Sequence, residues 1–463
     1  MSDLRKNQIN EFVRNSNFVK VVLIGFLVLL LQIPIAKIKG VIKERQQTHE
    51  DAINEVTSKW GKSQMLKGPS IIVPYINRSS LNSRGQLQSN IEYATFLPES
   101  LKISGTLDSQ LLYRGIYRIP VYTMMLDVSG NFAAPDFSEW TIDENDILWD
   151  KAYLSLGITD AWAITKSPNL LWNEKKMNFS PGSGEFSNNK QGLNAKLKDN
   201  LKGAIFNFSF SMELNGSMGV LFIPFGRDTE VQLSSDWGSP SFQGTFLPTS
   251  RDVSGDGFMA TWNVPYLNRS YPQKWQSSSN PNQDNAIESS GFGLEMISPV
   301  DQYTMSQRSI KYQILFLVLT FATLWLFEIL AKIRVHPIQY LLVGMAMCMF
   351  YLLELSLAEH LGFIQAYSIA SAAIVILVTS YSAAVLKARK RALIVGVVVT
   401  LLYMYLYILL MIEDYALLAG SAGLFAALAA IMYLTRKVDW YSLTDSVMPK
   451  TIINEKEQNN TVA

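Results

Sequence analysis

The sequence predicts a mixed fold in which six transmembrane helices, one N-terminal and five C-terminal, accompany a large all-β exported region. Three observations carry this: an apolar run from Phe18 to Ala36, an almost continuously apolar stretch from Ile310 to Leu434, and a polar, turn-rich, aromatic segment from Lys37 to Ser309 between them. At 463 residues and a formal net charge of +1, the chain has room for two or more domains and no global charge to steer it to nucleic acid. The single cysteine, Cys348, lies in an apolar run, so no disulfide can form within the chain. A domain of this size can bury a core without one.

The N-terminus, 1–17, is basic (Arg5, Lys6, Arg14) and is followed by the span 18–36. At about 1.5 Å per residue this run crosses the roughly 30 Å apolar layer of a bilayer. Its basic start also suits a signal peptide, but Pro34-Ile35-Ala36-Lys37-Ile38 offers no small-x-small cleavage site, which favours an uncleaved signal anchor. Five further spans are expected within 310–434: Lys311 to Leu330, Ile338 to Leu357, Phe363 to Leu386, Ala392 to Ile412 and Tyr415 to Leu434.

Charge alternates between the short connections: Lys332 and Arg334, then Glu359 and His360, then Lys387, Arg389, Lys390 and Arg391, then Glu413 and Asp414, then Arg436 and Lys437. Basic loops stay on the cytoplasmic side. Both termini are therefore expected in the cytoplasm, including a polar tail at 435–463, and the long insert is expected outside.

Within the insert, 37–60 reads as an amphipathic stalk helix, with Ile38, Val41, Ile42, Ile53 and Val56 among its apolar positions. A β region, 61–309, follows. Its clearest strand is Ala204 to Leu214, where Phe206, Phe208, Phe210, Met212 and Leu214 alternate with polar residues, as a half-buried antiparallel strand requires. Further strands are expected at Ser70 to Tyr75, Ile91 to Leu97, Leu111 to Tyr122, Thr123 to Val128, Val220 to Phe225, Thr229 to Leu233 and Phe258 to Val264. The stretches Ser180 to Asn200 and Gln276 to Gly291 lack apolar periodicity and read as flexible loops.

Two phrases recur 150 positions apart. "FLPESLKISG" (Phe96 to Gly105) returns as "FLPTSRDVSG" (Phe246 to Gly255), and "IIVPY" (Ile71 to Tyr75) as "LFIPF" (Leu221 to Phe225). The common offset predicts two related sandwich-like β units, about 61–140 and 203–267, with a groove between them where a partner could bind. The Pro and Ser-Gly pieces are expected to end strands and make turns.

Chemistry-bearing clusters are sparse. Glu328 and Glu354 lie inside apolar runs, where ionisable groups are costly, and read as polar contacts between helices or as waypoints of a solute path. Glu354, Glu359 and His360 are candidates for an outer-face cluster. The three histidines, His49, His336 and His360, are too scattered for a histidine metal site. His336-Pro337 suits helix initiation, and "LKARKR" (Leu386 to Arg391) is a topogenic signal that also attracts anionic headgroups. No phosphate loop, Gly-x-Ser-x-Gly elbow or paired CxxC occurs. These residues point to no catalytic site and no cofactor.

Five long stretches in order, "WGKSQMLKGPSIIVPY" (Trp60 to Tyr75), "RGIYRIPVYTMMLDVSGNF" (Arg114 to Phe132), "DWGSPSFQGTFLPTSRDVSGDGFMATWNV" (Asp236 to Val264), "RVHPIQYLLVGMAMCMFYLLELSLAEHLGF" (Arg334 to Phe363) and "EDYALLAGSAGLFAALAAIMYLTRKVDWY" (Glu413 to Tyr441), resemble the CreD family of bacterial inner-membrane proteins. The resemblance covers nearly the whole chain. It implies a protein of the Gram-negative inner membrane linked to cell-envelope integrity and colicin tolerance and expressed under a CreBC-type two-component system, in which the exported insert of the charge argument is expected to be periplasmic. It implies no enzymatic activity and no cofactor. Expected partners are the lipid bilayer and an unnamed periplasmic or envelope component, not nucleic acid, with a homo-oligomer left open.

Overall fold

The computed structural model describes residues 17–81, 87–184, 191–197, 201, 205–277, 283–296, 302–331, 333–412 and 415–436. Arg5, Lys6, Arg14, Lys332, Glu413, Asp414, Lys437 and the tail beyond 436 lie outside these residues. Two compact units emerge, one from 1–48 with 300–463 and one from 49–299.

The first helix, α1 (Asn17–Trp60), is a single 44-residue element. The expected span and stalk are therefore one helix, and Pro34 is accommodated inside it. Gly61 ends it at φ +139°, where a Cβ would meet the Asn215 carbonyl oxygen at 2.6 Å.

In the membrane unit, α3 (Gln302–Lys311) and α4 (Gln313–Ala331) form a pair bent by 46°. They are followed by α5 (Pro337–Leu361), α6 (Phe363–Val385), α7 (Arg389–Met411) and α8 (Ala416–Thr435); the short α2 (Gln283–Glu288) belongs to the other unit. Among the described residues five helices are long and apolar enough to cross a membrane, or six if the bent pair is counted as one span. The second span thus differs from the expected Lys311 to Leu330 in starting with a polar helical segment. His336 caps α5, its Nδ1 accepting from the Ile338 N–H at 3.3 Å, with Pro337 at the first helical position. Arg389, Lys390 and Arg391 occupy the first turn of α7, where the helix dipole disfavours cations.

The β unit contains β1 (Gln64–Leu81), β2 (Leu87–Phe96), β3 (Ser100–Arg114), β4 (Tyr117–Phe132), β5 (Tyr153–Ile158), β6 (Ile164–Lys166), β7 (Asn169–Trp172), β8 (Lys175–Asn178), β9 (Ser180–Pro181), β10 (Gly192–Lys196), β11 (Phe206–Ser217), β12 (Gly219–Phe222), β13 (Asp228–Ser235), β14 (Pro240–Gly244), β15 (Ser250–Ser254), β16 (Gly257–Pro265), β17 (Lys274–Gln276) and β18 (Phe292–Met296). Among the described residues they form two nine-stranded sheets. The first runs β14-β18-β12-β1-β5-β10-β9, with β2 joining β1 to β17; the second runs β15-β16-β13-β3-β4-β11-β7-β8, with β6 on β11. One apolar cluster contains buried residues of both sheets, including Ile71, Val73 and Leu154 of the first and Leu101, Leu126 and Trp262 of the second.

The two expected β units interleave, so each sheet draws strands from both. β1 pairs in parallel with β12 (Leu66 beside Phe222), and β3 in parallel with β13 (Ile103 beside Val231). These direct ladders leave no groove between the two segments at those strands. The repeated FLP phrase marks the place where the chain leaves the first sheet for the second: β2 passes to β3 through Leu97-Pro98, and β14 passes to β15 through Leu247-Pro248.

Some local expectations change. Pro74 lies within β1 opposite Tyr93, while Pro224 follows the end of β12; only the second stops a strand. Ser104-Gly105 is strand interior, whereas Gly255 sits in the turn between β15 and β16. Leu111 to Tyr122 is a hairpin rather than one strand, because Gly115 at φ +60° opens a two-residue turn between Arg114 and Tyr117. The stretch Ser180 to Asn200 contains β9 and β10, and Gln276 to Gly291 contains α2, each held by tertiary contacts its composition does not advertise. Parts of both lie outside the described residues. β11 keeps the expected alternation, antiparallel to β4, with Phe206, Phe208, Phe210, Met212 and Leu214 all buried.

Candidate functional site

The acidic residues singled out in the sequence fall in the membrane unit, where the cost of burying a carboxyl demands partners. Glu328, near the C-terminal end of α4, forms an ion pair with Lys20 of α1. It also accepts the Val335 N–H at 3.1 Å and the Tyr340 O–H at 3.2 Å. One carboxylate therefore ties α1, α4 and the start of α5 together.

Glu354 and Glu359 lie on α5 and both reach α3. Glu359, with a side chain 4% exposed, accepts from Arg45 Nη2 at 2.7 Å and from the Tyr303 O–H at 3.2 Å. Glu354 is fully buried; Ser306 Oγ donates to its Oε1 at 2.8 Å, and its Oε2 has no partner among the described residues. Tyr303 and Ser306, three positions apart on α3, share a helical face, so each meets a different acid of α5. Gln307 bonds Gln46 of α1, and Gln313 Nε2 donates to Gln32 Oε1 at 2.7 Å, extending this polar seam.

The acids are not gathered into one centre. Glu328 has its own network, and Glu354 and Glu359 sit five positions apart on a helix that runs on to Leu361, which directs them differently. His360 is exposed and joins neither contact. Among the described residues no group of three or more His, Cys, Asp or Glu is placed to hold a metal ion.

Sequence reasoning missed Arg45, Tyr303, Ser306, Lys20 and Tyr340. A signal for part of the seam exists: Tyr303, Ser306, Ser309 and Ile310 are buried and recur at three- and four-residue spacing, the pattern of one face of a helix. Next to α5, Phe350 lies 5.4 Å from Tyr367 and 4.6 Å from Tyr403, ring centroid to centroid, and the Tyr367 O–H donates to the Tyr403 carbonyl at 2.6 Å. These contacts bind α5, α6 and α7 into a bundle.

A helix-bundle membrane protein with a large two-sheet β domain inserted after its first span is the class these features define. Residues 16–441 match the family described as "Inner membrane protein CreD", and the chain belongs to that family. It is 33% identical over 427 residues to the inner membrane protein CreD of Escherichia coli (strain K12), a match covering 90% of this chain and 92% of that one. Among solved structures, a zinc metallopeptidase mutant of the M1 class from Deinococcus radiodurans, bound to a peptide substrate, aligns with 36% of this chain and 39% of its own at 8% identity. Its TM-score of 0.18 carries no argument about fold or chemistry.

Proposed function

We infer that the β unit faces the periplasm and contacts an envelope component, and that the helix bundle anchors this contact in the inner membrane, supporting envelope integrity and colicin tolerance without catalysis. One observation carries the reading: a two-sheet domain is inserted between the first span and a bundle whose helix ends alternate between basic and acidic residues. By the positive-inside rule that alternation puts the basic ends at Arg334 and Arg389 in the cytoplasm and the insert outside.

The test has two parts. In a Cys348→Ala background, Leu267→Cys, at an exposed site of the β unit, is expected to react with a membrane-impermeant maleimide in spheroplasts, whereas Arg389→Cys reacts only after lysis. Deletion of the protein is expected to alter survival under envelope stress and colicin challenge. The reverse labelling, or a deletion without envelope phenotype, sinks the reading.

A second reading, a lipid or small-solute path through the bundle, is favoured by the fully buried Glu354, one of whose oxygens has no partner among the described residues. A double variant, Glu328→Gln with Glu354→Gln, that leaves every flux and envelope phenotype unchanged removes it.

A further inference from the structure

The β unit carries a cleft that none of the acids above lines. Strand alternation puts Leu66, Ile71, Leu154 and Leu156 into the core, and turns Lys67, Ile72, Tyr153 and Ser155 to the opposite face of the first sheet. There, α2 and β17 border a cavity of about 510 Å³. Its volume lies within the range of small-molecule sites.

The lining is of mixed character. Trp275, packed edge-on against the buried Phe225 at 6.5 Å between ring centroids, supplies aromatic surface. Buried Ser70, Thr95 and Ser183 supply groups that both donate and accept. Lys67 Nζ and Asp284 Oδ1 stand 3.6 Å apart at the wall, with Glu288 on the same helix as Asp284. Gln283 is the decisive group: it is 7% exposed, it lines the cleft, and its Nε2 has no partner among the described residues. A buried amide donor left unpaired is unfavourable, and a ligand oxygen would satisfy it.

We propose that this cleft is a binding site for a neutral oligosaccharide built of hexopyranose rings. A pyranose presents an apolar C–H face, which matches the aromatic surface, and a rim of hydroxyls that both donate and accept, which matches the amide, hydroxyl and carboxylate groups. Two carboxylates against one lysine in the lining disfavour an anionic ligand. Extended peptides bind sheets by adding to an open edge, but the floor strands β1 and β5 are paired on both sides. The assignment rests on the reading that the β unit faces the envelope, where such glycans are met.

The test uses the full chain, purified in a detergent without a sugar headgroup and titrated calorimetrically with N-acetylchitotetraose, cellotetraose and maltotetraose. At least one is expected to bind, and Trp275→Ala and Gln283→Leu are each expected to weaken it about tenfold. Lys67→Gln, a third exposed at the cleft wall, puts little of the fold at risk and is expected to weaken binding in the same sense. Failure of all three sugars to bind, binding unchanged in all three variants, or a tetrapeptide that binds with the same variant sensitivity overturns the proposal. Binding in detergent does not depend on membrane orientation. Failure here with the periplasmic labelling intact removes only the saccharide, while cytoplasmic labelling with sugar binding intact removes only the envelope reading.

Discussion

Arg45 of α1 donates to Glu359 of α5 across 2.7 Å, and the two ends of that contact differ in environment: the Glu359 side chain is 4% exposed and that of Arg45 44%. The pair should respond asymmetrically to truncation. Arg45→Ala leaves a buried carboxylate with the Tyr303 hydroxyl but no countercharge, and is expected to cost about 3 kcal/mol. Glu359→Ala leaves a guanidinium that can turn to water but also takes one acceptor from the buried Tyr303 hydroxyl, and is expected to cost about 1–2 kcal/mol, less than Arg45→Ala. Thermal unfolding of the full chain in detergent measures both, and equal losses would contradict the asymmetry.

How much of this was legible follows from the range of each interaction. Glu359 is visible in the sequence as an acid at a helix end, but Arg45 is 314 residues away and Tyr303 is 56 away, and no local pattern links them. β11 is legible because a half-buried strand alternates. The hairpin turn at Gly115 is not, because Leu111 to Tyr122 reads as one strand when a single glycine reverses the chain. The parallel pairing of β1 with β12 leaves no mark in either strand, since strands covered on both faces lose their period. The cleft at Gln283 was hidden for another reason: its segment is polar without period, and only tertiary packing makes it a wall.

The two glycines of the repeated phrase should tolerate substitution differently. A Cβ on Gly105 would stand 2.6 Å from Leu233 Cδ2 and 2.8 Å from Leu126 Cδ2, both in the core; one on Gly255 would meet nothing within 4 Å. Gly105→Ala is therefore expected to destabilise by about 1–3 kcal/mol, and Gly255→Ala to stay within about 0.5 kcal/mol of the parent. Adding Leu233→Val to Gly105→Ala should recover part of the loss. Chemical denaturation of the three variants decides it, and a recovery of zero would show that the Leu233 contact is not the source of the loss.

Asp136 gives a pH dependence. Hydrogen bonds from Ser138, whose N–H donates at 2.9 Å, and from Lys274, at 3.0 Å, hold its carboxyl down to about 2. A folded value below the unfolded one, about 3.9, means that the ionised form stabilises the fold. That contribution is present above about pH 4 and is lost as pH falls toward 2. The side chain is 57% exposed, so solvent screening keeps the effect small. The gap in unfolding temperature between wild type and Asp136→Asn is expected to be flat from pH 5 to 8 and to close through that acid window. A gap that widens on acidification has the wrong sign for this pair.

Two serines on α3 provide an internal control for the buried acid. Ser306 Oγ donates to Glu354 at 2.8 Å, whereas Ser309 Oγ, equally buried, has no partner among the described residues. Removing a hydroxyl that satisfies a buried carboxyl strands the carboxyl, while removing an unsatisfied hydroxyl relieves a desolvation penalty. Ser306→Ala is thus expected to cost about 1–3 kcal/mol, and Ser309→Ala to be neutral or stabilising by about 1 kcal/mol. Glu354→Gln keeps an oxygen to accept from Ser306 and removes a potential charge from an apolar site, so it should unfold at no lower temperature than wild type. Glu354→Leu orphans Ser306 and should not share that tolerance. If Ser309→Ala cost as much as Ser306→Ala, the loss would come from packing along α3, and the Ser306 to Glu354 bond would have no distinct part in holding α3 against α5.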